Sequence, residues 1–260
     1  MSAFDRRSML HGLITMAAAG VLGRSLSASR QSAAASGGRI LVFDVNETLL
    51  DVGALSPHFD RLFGDARVGD EWFTNVVLYS QVAALAGPYA EFGAIARAAL
   101  DMTATAHRVS LSPADRDGIL RGLISLPAHP DVRDGLDTLR QAGFRLVTLT
   151  NSAPAAVAQQ LANAGIAEFF EQSFSVDEVR TFKPATQVYQ LVATKLGVAP
   201  SQLRLVAAHA WDVLGAMRAG LMAAFVARPG KALFPLADRP DVVGPDLREV
   251  ARQIVLLETQ

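Results

Sequence analysis

The 260-residue chain is half hydrophobic and almost neutral, with a formal net charge of -1 and no cysteine. That length suits one large domain or a core with a smaller insert, and the apolar fraction supports a substantial core. The balanced charge, with no basic run or aromatic-basic stripe, excludes a nucleic-acid surface. The missing cysteines exclude disulfides, a thiol nucleophile and thiolate metal sites, and leave the redox compartment open.

At the amino terminus Arg6-Arg7 stands directly before an apolar stretch, Leu13 to Leu22, too short to span a bilayer. Small residues follow, with Ala33-Ala34-Ala35 matching a cleavage pattern. Charge, apolar run and small-residue site come in the order of an export signal, and the paired arginines resemble the twin-arginine type. Residues 1–38 are therefore expected to be a leader, cleaved after Ala28 or Ala35, that delivers the mature protein to the periplasm. The competing reading is a Ser/Ala-rich leader with no address. No later stretch is long and uncharged enough to span a bilayer, so no stable membrane association is expected after cleavage.

Ile40 to Phe43 is a short apolar run and predicts a buried strand, with Asp44 at its carboxyl end and a polar turn behind it. After Asp51 the spacing is helical. Leu55, Phe59, Leu62 and Phe63 mark one helix stopped by Gly64. Glu71 to Leu85 marks a second, with Trp72, Val76, Tyr79, Val82 and Ala83 on one stripe, broken by Gly87-Pro88. Phe92 to His107 is a third. Ser112-Pro113 reads as an N-cap with proline in the first turn of a fourth, running to Leu123. No strand is predicted between Asp51 and Leu126. From there strand and helix alternate: a helix opening at Pro130-Asp131-Val132, a strand Arg145 to Thr150, a helix from Ser152 to Ala164, a strand Phe169 to Val176, and a helix Ala185 to Leu196. Then come a strand Leu203 to Ala208, a helix Trp211 to Ala219, a strand Ala223 to Ala227, and a last helix from Pro245-Asp246 to Leu257. This alternation argues for a parallel, three-layer α/β sheet interrupted by a helical block after its first strand.

Ligands of open α/β sheets bind beyond the carboxyl ends of the strands. A carboxylate placed there, such as Asp44, can act as a nucleophile; the plain alternative is a turn-capping aspartate. Leu149-Thr150-Asn151-Ser152 lies between a strand and a helix, where a hydroxyl, an amide and free backbone N–H groups suit an anion. Lys183, before Pro184, supplies a cation that would lower the pKa of a neighbouring carboxylate. Ala207-Ala208-His209-Ala210-Trp211-Asp212 follows the next strand and places a further carboxylate in the crevice. His58, His107 and His129 lack ligand spacing and read as ordinary surface or cap residues.

Asp-x-x-x-Thr-Leu-x-Asp at residues 44–51, followed in order by the Thr150, Lys183 and Asp212 stretches, resembles the four motifs of the haloacid dehalogenase superfamily. The resemblance implies a Rossmann-like core of residues 39–54 and 127–260 with an inserted helical cap, residues 55–126. Phosphatases of this kind carry a second aspartate two residues after the nucleophile and two acids in the last motif for Mg²⁺. Here those positions hold Asn46 and Ala208. A halide, unlike an alkoxide, leaves without a general acid, so the departures point to carbon–halogen displacement.

The mature chain is then similar to the type II, or L-2-haloacid, dehalogenases. What that implies is a two-step reaction without metal or cofactor on a short 2-haloacid. Asp44 would attack C2 and expel halide, and water would hydrolyse the resulting ester to a 2-hydroxy acid. Thr48 and Lys183 would hold the Asp44 carboxylate, Thr150 the substrate carboxylate, Asn151 and Trp211 the halide, with Tyr189 in support and Asp212 orienting Lys183 or the water. Val45, Asn46 and Phe73 would line the substrate. The family also implies a homodimer, for which the sequence gives no independent interface signal.

Two departures stand out. The family's arginine after the cap tryptophan Trp72 is Phe73 here, with Arg97 or Arg108 as conceivable substitutes. The family's serine and asparagine in the last motif are Ala207 and His209, and His209 is expected to position or activate the hydrolytic water, since histidine titrates near neutrality. A phosphatase of the same fold and a non-catalytic binder of small carboxylates are the alternative expectations.

Overall fold

The computed structural model describes residues 40–258, so the expected leader lies outside the described residues. Ile40–Phe43 forms β1, buried along its whole length. The remaining strands are β2 (Arg145–Thr150), β3 (Gln172–Ser175), β4 (Leu203–Ala207), β5 (Met222–Val226) and β6 (Val242–Gly244). They lie in the order β3-β2-β1-β4-β5-β6, and every pairing is parallel. Parallel neighbours need crossovers, which the helices supply while covering both faces of the sheet. The strand order reverses between β1 and β4, so the crevice for a ligand opens at their carboxyl ends. Asp44 N donates to Val206 O at 3.1 Å, carrying the ladder one residue past β1 into that crevice.

The first four of the α-helices between β1 and β2 are α1 (Ser56–Phe63), α2 (Val68–Ala86), α3 (Phe92–Ala106) and α4 (Pro113–Ile124). The helix starts and stops follow local chemistry. Gly64 closes α1 in the left-handed region at φ 73°. Ser112 caps α4, accepting from Asp115 N at 3.1 Å while the Asp115 carboxylate takes the Ser112 N–H. The buried face of α2 runs Gly69, Trp72, Phe73, Val76 and Ser80, and Trp72 Nε1 donates to Ala96 O of α3 at 2.9 Å.

Tyr79 and Val82, expected on that stripe, are instead 39% and 41% exposed. The helix phase gives the inward position to Ser80, whose hydroxyl is satisfied by Val77 O of its own helix at 2.7 Å. An apolarity count cannot foresee that substitution.

The second half contains α5 (Val132–Gln141), α6 (Pro154–Asn163), α7 (Thr186–Leu196), α8 (Ala210–Arg218) and α9 (Leu247–Glu258). The expected strand Phe169 to Val176 is shorter. A 3-10 turn, Ala167–Phe169, precedes β3, and a second, Val176–Glu178, follows it, with Ser175 Oγ accepting from Asp177 N. Three-residue β6 was not expected, since it is too short to show a period.

Candidate active site

Asp44 sits where β1 ends. The next residues wind one turn, with Leu49 N and Leu50 N both donating to Val45 O, so Thr48 folds back over Asp44. Thr48 Oγ1 donates to Asp44 Oδ2 at 2.6 Å and accepts from Ala208 N at 2.9 Å, which ties the turns after β1 and β4 together. Lys183 Nζ donates to Asp44 Oδ1 at 3.1 Å. His209 Nδ1 stands 3.3 Å from Oδ2, off the line of a hydrogen bond, so it acts there as a close charge. Burial pushes the Asp44 carboxyl up, but Lys183, His209 and Thr48 together outweigh it and hold the group well below the usual carboxylate range.

Lys183 is fully buried and also donates to Asp212 Oδ2 at 2.8 Å. Tyr189 OH donates to the other oxygen, Asp212 Oδ1, at 2.6 Å. Burial alone would strip the lysine of its proton; Asp212 and Asp44 reverse that and keep it a cation. Burial raises Asp212 despite the opposing pull of Lys183, and burial with Asp212 holds Tyr189 firmly as a phenol. Gly215 makes the contact possible, because a Cβ there would stand 2.6 Å from Tyr189 Oη and 2.6 Å from Pro184 Cβ.

The opposite side of Asp44 is built by residues that the sequence showed less clearly. His209 Nε2 lies 2.7 Å from Glu47 Oε2, and Lys231 Nζ donates to Glu47 Oε1 at 2.6 Å. Burial lowers His209, but Asp44 and Glu47 more than offset it and push the imidazole up to about 9. Glu47 in turn is drawn below its ordinary value, against burial, by His209 and Lys231. Trp211 stacks on the His209 ring, 4.9 Å between centroids. His129, read as an ordinary surface or cap residue, is half-buried and bonds Glu47 O at 3.2 Å. Arg228, buried in the loop after β5, donates to Thr48 O at 2.8 Å and to Asp131 at 2.6 Å. Glu47, Lys231 and Arg228 were not anticipated. The signal available for Glu47 was its place in the first motif turn, and the two cations follow β5 with no motif to mark them.

The other expected residues fall into two groups. Thr150 Oγ1 accepts from Ser152 N at 3.1 Å and keeps its own proton to donate, while Asn151 Oδ1 accepts from Lys183 N at 3.3 Å and leaves its NH₂ group. Asn46, Val45 and Phe73, expected to line the substrate, are bound into the scaffold. Asn46 accepts from Gln160 at 3.0 Å and donates to Ser152 Oγ at 3.2 Å. The Val45 side chain is fully buried. Phe73 packs edge-on against Trp72 and Phe92, with centroids 6.0 and 6.5 Å away. Arg97 pairs with Asp117 at 3.0 Å on the solvent face of α3, and Arg108 is exposed after that helix, so neither replaces the arginine absent at Phe73. Among the described residues no group of three or more His, Cys, Asp or Glu side chains is arranged to hold a metal ion.

The chain belongs to the haloacid dehalogenase-like hydrolases: the model of that family matches residues 39–220. Within the family it resembles 2-haloacid dehalogenases. It is 29% identical to (S)-2-haloacid dehalogenase 2 of Pseudomonas sp. strain CBS-3, over 82% of this chain and 93% of that protein. It is 32% identical to (S)-2-haloacid dehalogenase 1 of the same strain, over 68% and 79%. The solved structure of L-2-haloacid dehalogenase from Xanthobacter autotrophicus with chloropropionic acid covalently bound matches with a TM-score of 0.78 at 28% identity, covering 84% of this chain and 98% of that one.

Proposed function

We propose that this hydrolase removes halide from short 2-haloacids, giving 2-hydroxy acids through a covalent ester on Asp44. One observation carries the reading: Asp44 is a buried carboxylate kept ionised by Lys183, Thr48 and His209, while the residue two places on, Asn46, can neither give nor take a proton and is locked to Gln160 and Ser152. Such a group is a desolvated nucleophile with no acid at the position that would serve an alkoxide. The Thr150 hydroxyl and the Asn151 amide, next to the amino terminus of α6, provide donors for the substrate carboxylate and the departing halide. In-line attack by Asp44 on C2 forms the new C–O bond as the halide leaves with the bonding pair, and inverts the carbon. Water then adds to the aspartyl carbonyl, and the hydroxyl oxygen of the product comes from Asp44.

Helices α1 to α4, in residues 55–126, act as the cap over this reaction. Arg6-Arg7 with the apolar run behind it supports export of the folded enzyme. Fusing residues 1–38 to a reporter tests this: export should require both arginines, and export of an Arg6→Lys/Arg7→Lys fusion would remove the twin-arginine reading.

The test of function is halide release from both enantiomers of 2-chloro and 2-bromo acids in the presence of EDTA, beside a Mg²⁺-supplemented p-nitrophenyl phosphate assay. Halide release that survives EDTA and is lost in Asp44→Asn is the expected result. Phosphate release that needs Mg²⁺, with no halide release, would make the protein a phosphatase. Tight binding of acids without turnover would make it a binder.

A further inference from the structure

Behind the nucleophile turn stands a buried cation that takes no direct part in the displacement. Arg228 lies in the loop after β5, and β4 separates β5 from β1 in the sheet. The loop folds on itself, with Arg228 N donating to Val226 O at 2.8 Å and Lys231 N to Arg228 O at 2.9 Å. Arg228 Nη2 and Nε donate to the Thr48 carbonyl at 2.8 and 3.2 Å, and Nη1 donates to Asp131 Oδ1 at 2.6 Å. Asp131 stands at the start of α5, but its side chain does not cap that helix. Its Oδ2 accepts instead from the N–H of Leu247, the first residue of α9, at 2.6 Å. The two helices meet closely there, since a Cβ on Gly135 would stand 2.6 Å from Leu247 Cγ. One planar guanidinium therefore ties the turn after β1 to the starts of α5 and α9.

A buried ion pair adds little net stability, because desolvation consumes most of its attraction. What this one supplies is geometry, since the donors of a guanidinium are held in one rigid fork. The carbonyl that the fork holds belongs to Thr48. The hydroxyl of the same residue donates to Asp44 Oδ2 at 2.6 Å and accepts from Ala208 N at 2.9 Å. Carbonyl and side chain branch from one Cα, so anchoring the first limits where the second can reach. We propose that Arg228 is a positioning residue for the attack by Asp44: through Thr48 it sets the direction of the carboxylate, and Asp131 with the start of α9 sets Arg228. This rests on the reading that Asp44 displaces the halide. The bonds of the guanidinium go to Thr48 and Asp131, while Thr150 and Asn151 are left to hold the acid. Arg228 therefore acts on the chemical step and not on substrate binding. In-line displacement tolerates little misdirection of the attacking oxygen, which gives such a residue its leverage on rate.

The experiment is single-turnover halide release from 2-chloropropionate over a range of acid concentrations, normalised to folded protein, with the ester on Asp44 followed by intact-protein mass spectrometry. Arg228→Lys keeps a positive charge beside Asp131 but replaces the fork by a point charge. It should slow halide release at saturation about tenfold and leave the half-saturating concentration within about twofold of wild type. Arg228→Met/Asp131→Asn leaves no unpaired charge in the interior. It should show the same split, and it serves as the test if Arg228→Lys does not fold. Thr48→Val removes the hydroxyl through which Arg228 acts, so adding Arg228→Lys to it should slow the reaction no further. An arginine with a merely structural role would lower the melting temperature and leave the rate per folded molecule unchanged. That result, or effects of Arg228→Lys and Thr48→Val that simply multiply, would overturn the role given to Arg228. Wild-type enzyme that releases halide without ever labelling Asp44 would instead overturn the covalent reading beneath it, and wild-type enzyme that releases no halide would overturn the reaction itself.

Discussion

Glu47 occupies the left-handed region at φ 61°, which a residue with a Cβ adopts at a cost of order 1–3 kcal/mol. Three contacts hold it there: its N–H on Leu50 O, its carbonyl under His129, and its carboxylate between His209 and Lys231. The strain therefore lies at a residue that the site uses. Its electrostatics give a pH prediction. The folded pKa of His209, about 9, lies above the ordinary 6.5, so the protonated imidazole stabilises the fold fully below about 6.5, and that contribution disappears as pH rises through 9. Urea midpoints should fall between those values, and His209→Gln should fall less over the same range. Parallel curves for the two proteins would mean that His209 is not charged in the fold.

Phe73 gives the opposite lesson. Restoring the family's arginine there would place a guanidinium in a ring cluster where Phe73 itself is 3% exposed. Lost aromatic packing and an unpaired buried charge together should cost about 3–5 kcal/mol. Phe73→Arg is thus expected to lower the melting temperature before it raises any rate.

Most elements could be read from the sequence because their boundaries are local. Ser112 with Asp115 opens α4, Gly64 and Gly197 close helices in the left-handed region, and β1, β2 and β4 are apolar runs of strand length. The motif side of the site was readable for the same reason: Asp44, Thr48, Thr150, Lys183 and Asp212 lie at or after the carboxyl ends of successive strands in chain order, and the fold brings the first, second, fourth and fifth into direct contact. The residues missed depend on tertiary placement. Lys231 reaches across 184 positions to Glu47, and Arg228 across 180 to Thr48; no local pattern announces either. Element packing also makes a prediction at Gly215 in α8. Alanine there would drive its methyl into Tyr189 Oη and Pro184 Cβ, each 2.6 Å away, and Pro184 adjoins Lys183. Gly215→Ala should push α7 off α8, loosen Tyr189 from Asp212 and cost about 1–3 kcal/mol, with activity falling further than stability. Unchanged activity and melting temperature would mean that the two helices can part without disturbing Asp212.

At the scale of the whole molecule, the helical insert rests on the same loop that carries Lys183. Tyr89, between α2 and α3, stacks on Phe182 with centroids 5.0 Å apart, and Phe92 packs on the other part of that ring at 6.4 Å. The Tyr89 hydroxyl donates to Asp177 in the turn after β3, and Arg180 covers the tyrosine ring at 5.0 Å. Asp44 itself is only 6% exposed. The Tyr89–Asp177 bond ties the insert to the core, and it is predicted to act as a latch on substrate entry. Tyr89→Phe keeps the stacked ring and removes the hydroxyl. A half-exposed hydrogen bond to a carboxylate contributes about 1.4 kcal/mol, so the open population should rise about tenfold. Amide exchange in the segment from Gly87 to Phe92 should quicken by that factor, and kcat/KM for the haloacid should rise while the single-turnover rate of halide loss stays fixed, because Tyr89 touches none of the reacting groups. Exchange that quickens without any change in kcat/KM would show that entry follows another path. A slower chemical step in Tyr89→Phe would show that Tyr89 and Phe182 set the position of Lys183 as well as the closure of the insert.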